Sequence, residues 1–273
     1  MSSLDNLDEN RPSPQLAACQ ASPSLLPHTQ HNAGTHLFWG FDEEPRYRAN
    51  LKSKPADWPY RTKLIDYTIN TLGYRAPEFD TVDWANSIAV FGCSFVFGDG
   101  LAHEETISQR IEQMTGITTI NLGAGGSGIV WNLHNQLLLA THYPTPQAVV
   151  CLWPSINRDQ QYEREDHVYR SGPWNMHKDS SADHWNRGTN PATHAWMNRQ
   201  LAINLWANKC PFVDATLLRS THWATNAPLV ADDWGEWATT ARDGVHPGDQ
   251  VSQKIAEHLV SQLSREAVAA QKF

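Results

Sequence analysis

Short, almost wholly apolar runs alternate along this chain with stretches in which apolar residues recur every three or four positions. The runs are Ser87 to Phe91 (SIAVF), Ile117 to Leu122 (ITTINL), Ala148 to Trp153 (AVVCLW) and Phe212 to Leu218. Runs this short and this uniformly apolar predict strands covered on both faces, as in a parallel sheet. Between them, Ile107, Ile111 and Met114 share one helical face over Thr106 to Met114, with Gly116 as the stop. Ile129, Leu133, Leu137 and Leu138 stripe a second helix, and Met197, Leu201 and Leu205 a third. That third helix is expected to be capped by Asn190, with Pro191 at its first position. Val251, Ile255, Leu259 and Leu263 stripe a closing helix. Strands alternating with helices imply a single α/β domain whose parallel sheet is covered on both faces.

The pattern fades upstream. Residues 1–45 are expected to form a poorly ordered arm, because Pro12, Pro14, Pro23 and Pro27 interrupt it and no period lasts. Residues 46–86 are expected to form a leader ribbon on the main domain, extended around Leu64, Tyr67 and Ile69 and ending in the turn Asn70-Thr-Leu-Gly73. The domain itself is expected over 87–268. Inside it, residues 158–189 have little period and are rich in Trp and His, which marks a functional insertion.

Composition narrows the function classes. The 273 residues are 40% hydrophobic and 18% charged, as in a globular protein of one or two domains. The net charge of −8 lacks the basic surface that phosphate backbones require, so no nucleic-acid partner is expected. No apolar run approaches the roughly 20 residues that span a bilayer, and no membrane partner is expected. The chain opens without a basic segment followed by an apolar stretch, and Cys19, Cys93, Cys151 and Cys210 form no CxxC pair. Both features suit a cytoplasmic, reducing setting. Among 13 histidines, His167, His177, His184 and His194 are spaced 10, 7 and 10 apart, which fits no helical metal pair. No metal or other cofactor is expected. Eight of the 12 tryptophans fall between Trp153 and Trp237; most are read as core, with an aromatic pocket wall as the alternative.

Ligands of open α/β sheets bind beyond the carboxyl ends of the strands. Four segments lie there. Phe91-Gly-Cys-Ser94-Phe-Val-Phe-Gly98-Asp-Gly100 puts a serine on a glycine-containing turn directly after a strand, without the GxSxG spacing. Asn121-Leu-Gly123-Ala-Gly125-Gly126-Ser-Gly128 offers backbone N–H groups ahead of a helix. No acidic residue about 20 positions on ends a further strand, so a donor to an oxyanion suits this loop better than a dinucleotide site. Trp153-Pro-Ser-Ile-Asn157-Arg158 supplies a side-chain amide, read either as an oxyanion donor or as a loop cap. In Ala241-Arg-Asp243-Gly-Val-His246-Pro-Gly248 the carboxylate can fold onto one imidazole nitrogen and leave the other free as a base.

Together these segments resemble the four blocks of the SGNH (GDSL-type) hydrolase superfamily. The serine block carries over as Gly92-Cys-Ser94, with Cys93 where the family usually shows Asp, and the glycine block onto Gly126. The last block matches as Asp243-Gly-Val-His246-Pro-Gly. The third departs, with Pro154-Ser-Ile-Asn157 in place of Gly-x-Asn-Asp, and Asn157 takes the asparagine position only with the strand end shifted by a residue. Pattern and resemblance together imply a three-layer α/β/α sandwich with a mostly parallel, flavodoxin-like sheet. They imply a cofactor-independent serine esterase with Ser94, Asp243 and His246 as catalytic residues. The oxyanion hole is then formed by Ser94, Gly126 and Asn157. Its expected substrate is an O-acyl ester, small or carried on a glycan, with acetyl as the acyl group. The alternative is a binding or structural module that keeps the fold after catalysis has lapsed.

Overall fold

The computed structural model describes residues 25–28, 32–156, 158–164, 167–171, 191–230 and 240–270. At its centre, β3 (Ile88–Gly92), β4 (Thr119–Gly123), β5 (Ala148–Trp153) and β8 (Phe212–Thr216) make one parallel sheet in the order β4-β3-β5-β8. Each strand begins and ends within two residues of the apolar run that predicts it. The order is that of the first four strands of a flavodoxin-like sheet. The chain reverses its winding between β3 and β5, so the crevice at their carboxyl ends is the favoured ligand position.

Successive residues of each strand feed opposite cores. Ala89 and Phe91 of β3, with Val149, Cys151 and Trp153 of β5, face the cluster that holds Ile129 and Leu133 of α4 (Ile129–His142) and Trp206 of α5 (Pro191–Trp206). Ile88 and Val90, with Val150 and Leu152, face Ile107 and Ile111 of α3 (Ile107–Thr115) and Val251, Ile255 and Leu259 of α7 (Asp249–Ala270). The sheet is therefore a middle layer between two helical layers. Each fully buried aliphatic side chain in these stripes contributes about 1.5–3 kcal/mol. The α3 stripe fits less completely, because Met114 at its end is 36% exposed.

The stripe expected on α5 holds at Leu205, which packs partly buried against the cluster that holds Trp206, and fails at its other two positions. Met197 and Leu201 are 50% and 54% exposed, whereas Ala195, Ala202 and Trp206 are buried. Its inner side also carries Arg199, whose Nε and Nη2 donate to the two carboxylate oxygens of Asp214 on β8 at 2.5 and 3.0 Å. Two alanines, Trp206 and an ion pair therefore take the place of two of the three expected aliphatics. Asn190 lies outside the described residues.

The upstream segment is folded along much of its length. β1 (Gly34–His36) pairs antiparallel with β2 (Tyr67–Ile69), and α1 (Glu44–Ser53) follows β1. Residues 32–45, expected within a poorly ordered arm, thus lie on the domain. Residues 25–28 are also tied down: Leu25 is fully buried and Leu26 N–H donates to Asn135 Oδ1 at 2.8 Å. Residues 1–24 and 29–31 lie outside the described residues. Of the insertion expected over 158–189, β6 (Asp159–Arg164) and β7 (His167–Ser171) form an antiparallel hairpin, and 172–189 lie outside the described residues. Among the described residues no helix is long and apolar enough to cross a membrane.

Candidate active site

β3 is buried along its whole length and delivers Ser94 to the first position of α2 (Ser94–Phe97), a four-residue helix closed by Gly98. At that position the Ser94 N–H has no carbonyl partner within the helix. α2 lies hard against β4: a Cβ on Gly123 would come within 2.3 Å of the Phe97 nitrogen, so only glycine permits this approach. Asn121 braces the junction, its Nδ2 donating to Val96 O at 2.9 Å and its Oδ1 accepting from Gly123 N–H at 3.0 Å. The glycine-rich loop beyond β4 is pinned beside the serine turn. Both Ala124 N–H and the Ser127 hydroxyl donate to Gly92 O, at 3.0 and 3.1 Å. Gly126 sits between these two anchors with φ of 73°. Asn157 lies outside the described residues. Its neighbour Arg158 places its carbonyl oxygen 2.5 Å from where a Cβ on Gly128 would be, so the segment beyond β5 borders the same loop.

The fourth segment is a tight loop tied to the first. Arg242 N–H donates to Gly100 O at 2.9 Å, and Ala241 N–H to His246 O at 2.9 Å. Asp243 Oδ1 accepts from the N–H groups of Val245 and His246, both at 3.0 Å, while Oδ2 accepts from His246 Nδ1. With the proton held on Nδ1, Nε2 is an acceptor. Ser94 Oγ lies 2.9 Å from it. Ser94, Asp243 and His246, three residues singled out in the sequence, are thus joined in one hydrogen-bonded chain. All are buried, and Phe95 and Phe41 flank the imidazole with ring centroids at 5.8 and 5.9 Å.

Burial alone would raise the Asp243 carboxyl and lower the imidazole. The hydrogen bond and charge of His246, with the two backbone N–H donors, outweigh burial at Asp243 and hold it below the ordinary carboxylate value. For His246, the bond to Asp243 and the nearby charge of Asp99 outweigh burial and raise it above the ordinary histidine value. A carboxylate, an imidazole of raised basicity and a hydroxyl in line can move the serine proton onto Nε2.

Three contributors carried no separate signal in the sequence. Asp42 is fully buried and takes Arg242 Nε and Nη2 on its carboxylate, at 2.6 to 3.1 Å. Tyr67 OH donates to Asp42 at 2.6 Å and accepts from Gly100 N–H at 2.8 Å. The arm, the ribbon, the serine turn and the base loop are closed into one ring through these groups. The third contributor is Asp99, buried next to His246. Asp42→Ala would leave the Arg242 guanidinium buried without its anion, and urea unfolding should register a loss of about 3–5 kcal/mol. A loss below about 1 kcal/mol would mean that this pair does not hold the arm down.

No known protein-family profile matches the chain, and no curated protein matches it in sequence. Among solved structures it is similar to a member of the lipolytic G-D-S-L family from Veillonella parvula DSM 2008, at 14% identity and a TM-score of 0.40, over 66% of this chain and 98% of that one. It is also similar to an acetyl xylan esterase from the rumen bacterium Butyrivibrio proteoclasticus, at 14% identity and a TM-score of 0.38, over 68% of this chain and 65% of that one. An esterase of the SGNH-hydrolase family aligns at 18% identity and a TM-score of 0.35, over 70% and 98% of the two chains. Superpositions this loose carry no functional weight. The functional reading rests on the site geometry.

Proposed function

We propose that this chain is a serine esterase. Ser94 Oγ attacks the ester carbonyl while its proton passes to His246 Nε2, and Asp243 stabilises the imidazolium across Nδ1. The carbonyl oxygen becomes an oxyanion held by the N–H groups of Ser94 and Gly126, with the Asn157 amide as third donor. Each such donor is worth on the order of 3 kcal/mol when preorganised. The alcohol leaves with the proton from His246. Water, deprotonated by the same imidazole, then releases the acid from Ser94. The observation that carries this reading is the bonded chain Ser94–His246–Asp243, with Oγ 2.9 Å from Nε2.

The proposed substrate is an O-acyl ester, with acetyl as the acyl group and a carbohydrate as the alcohol. Phe41, 45% exposed beside the base, offers apolar ring surface against which a sugar can pack. The test is a rate comparison across p-nitrophenyl esters of increasing acyl length and acetylated sugars, each repeated after dialysis against EDTA. Hydrolysis of acetyl esters that survives the chelator is expected, since the nucleophile is a side chain. Activity lost to EDTA and restored by zinc or manganese would contradict the serine mechanism.

A further inference from the structure

Asp99 is a buried carboxylate at the site that the mechanism above does not use. It follows Gly98 at the end of α2, and its N–H donates to Ser94 O at 3.3 Å. Only 2% of it is exposed, and Oδ2 has no hydrogen-bond partner. That same oxygen lies 3.8 Å from His246 Nε2, the nitrogen that faces Ser94. The arm closes over it from the other side, with Gly40 so near that a Cβ there would come within 3.0 Å of Asp99 Oδ1. An orphaned carboxylate oxygen destabilises a fold. A side chain kept at that cost beside a base is a candidate for function.

We propose that Asp99 is a second carboxylate partner of His246: facing Nε2 while Asp243 holds Nδ1, it stabilises the imidazolium formed when Ser94 gives up its proton. This deepens the esterase reading and rests on it for the kinetic effect, though not for the electrostatic one. Asp99 acts through His246 and is a positioning residue. In the resting state Nε2 carries no proton, so nothing bonds to Oδ2. Once the serine proton arrives, Nε2–H has a carboxylate on each side of the ring and the ion pair is favoured over the neutral pair.

The surrounding charges agree. Burial, opposed by His246 and Arg75 and reinforced by Asp243 and Asp42, pushes Asp99 up to about 7. Asp99 in turn acts with Asp243 to raise His246, whereas the Arg158 charge lowers it. Arg242 is engaged by Asp42, and Tyr67 remains protonated, its hydroxyl pushed well up by burial, Asp42 and Asp99.

The decisive experiment is an NMR titration of the His246 imidazole in the full chain and in Asp99→Asn, with His246→Gln to assign the signal. Removing the anion should lower the His246 midpoint by about one unit. In the same variant kcat should fall about tenfold with KM nearly unchanged, because a unit of imidazolium stability is a factor of ten. Stability gives an independent readout. Asp99 is raised on folding from an unfolded value of roughly 3.9 to about 7. The native chain therefore holds the extra proton and loses stability as pH rises through that window. Asp99→Asn should accordingly raise Tm increasingly from about pH 4 to about pH 7 and by a constant amount above it. Asp99→Leu, of similar volume, must give the same imidazole shift. An unchanged His246 midpoint in both variants overturns the proposal, whatever kcat does. If the midpoint shifts but Ser94 proves unreactive, the esterase reading falls and the coupling of Asp99 to His246 stands.

Discussion

Ser94→Ala is expected to lower kcat by at least about 10⁴-fold, the loss seen when the nucleophile of a cooperating catalytic unit is removed. Stability should barely change. Ser94 makes one side-chain hydrogen bond, to His246 Nε2 at 2.9 Å, and alanine keeps the backbone of the first turn of α2. Losing one such bond costs about 1 kcal/mol. Urea midpoints and initial rates on the two purified proteins read both quantities. A variant that retains activity removes Ser94 from the mechanism.

Asp243→Asn separates a turn-former from a partner of the base. Oδ1 accepts two backbone N–H groups, and an asparagine oxygen can keep both. On the other side an NH₂ replaces the oxygen that takes the Nδ1 proton. The imidazole must then carry its proton on Nε2 and points N–H, not a lone pair, at Ser94. A loss in kcat of up to about 10⁴ is expected. Kinetics against pH give the second signature. His246 must be neutral to accept a proton, so kcat/KM falls as pH drops through its pKa. Asp243 and Asp99 raise that pKa, placing the limb above the roughly 6.5 of an ordinary histidine. Without the Asp243 charge the imidazolium is less stable and the limb moves to lower pH. The stability linkage carries the matching sign. Asp243, held low by its donors, stabilises the fold above roughly pH 4, and that contribution is lost as pH falls through its folded value. A variant with wild-type rate and an unmoved limb would make Asp243 a structural turn residue.

The parallel sheet was legible because its strands are buried on both faces, so the apolar runs carry no competing pattern. The pair Asp243 and His246 was legible because its hydrogen bonds are local, three residues apart. Ser94 was legible only through its place after a strand. What escaped depends on distance along the chain. Asp42 and Arg242 are separated by 200 positions, and nothing in a proline-interrupted stretch announces that it will fold against a loop so far away. The inner face of α5 was misjudged because counting large apolar residues overlooks a face built from Ala195, Ala202 and an Arg199 bonded to Asp214. Asp99 reads in the sequence as one more polar residue in a glycine turn. Only its burial against His246 and the closeness of Gly40 give it chemistry.

Covalent trapping with a serine-directed alkyl fluorophosphonate, read by intact mass and by peptide mapping, tests Ser94 as the nucleophile directly. One adduct per chain is expected, carried on the peptide that contains Ser94, formed more slowly as pH falls through the His246 limb and absent from Ser94→Ala. No adduct on the native chain, or an adduct on another residue with Ser94 unmodified, would contradict it.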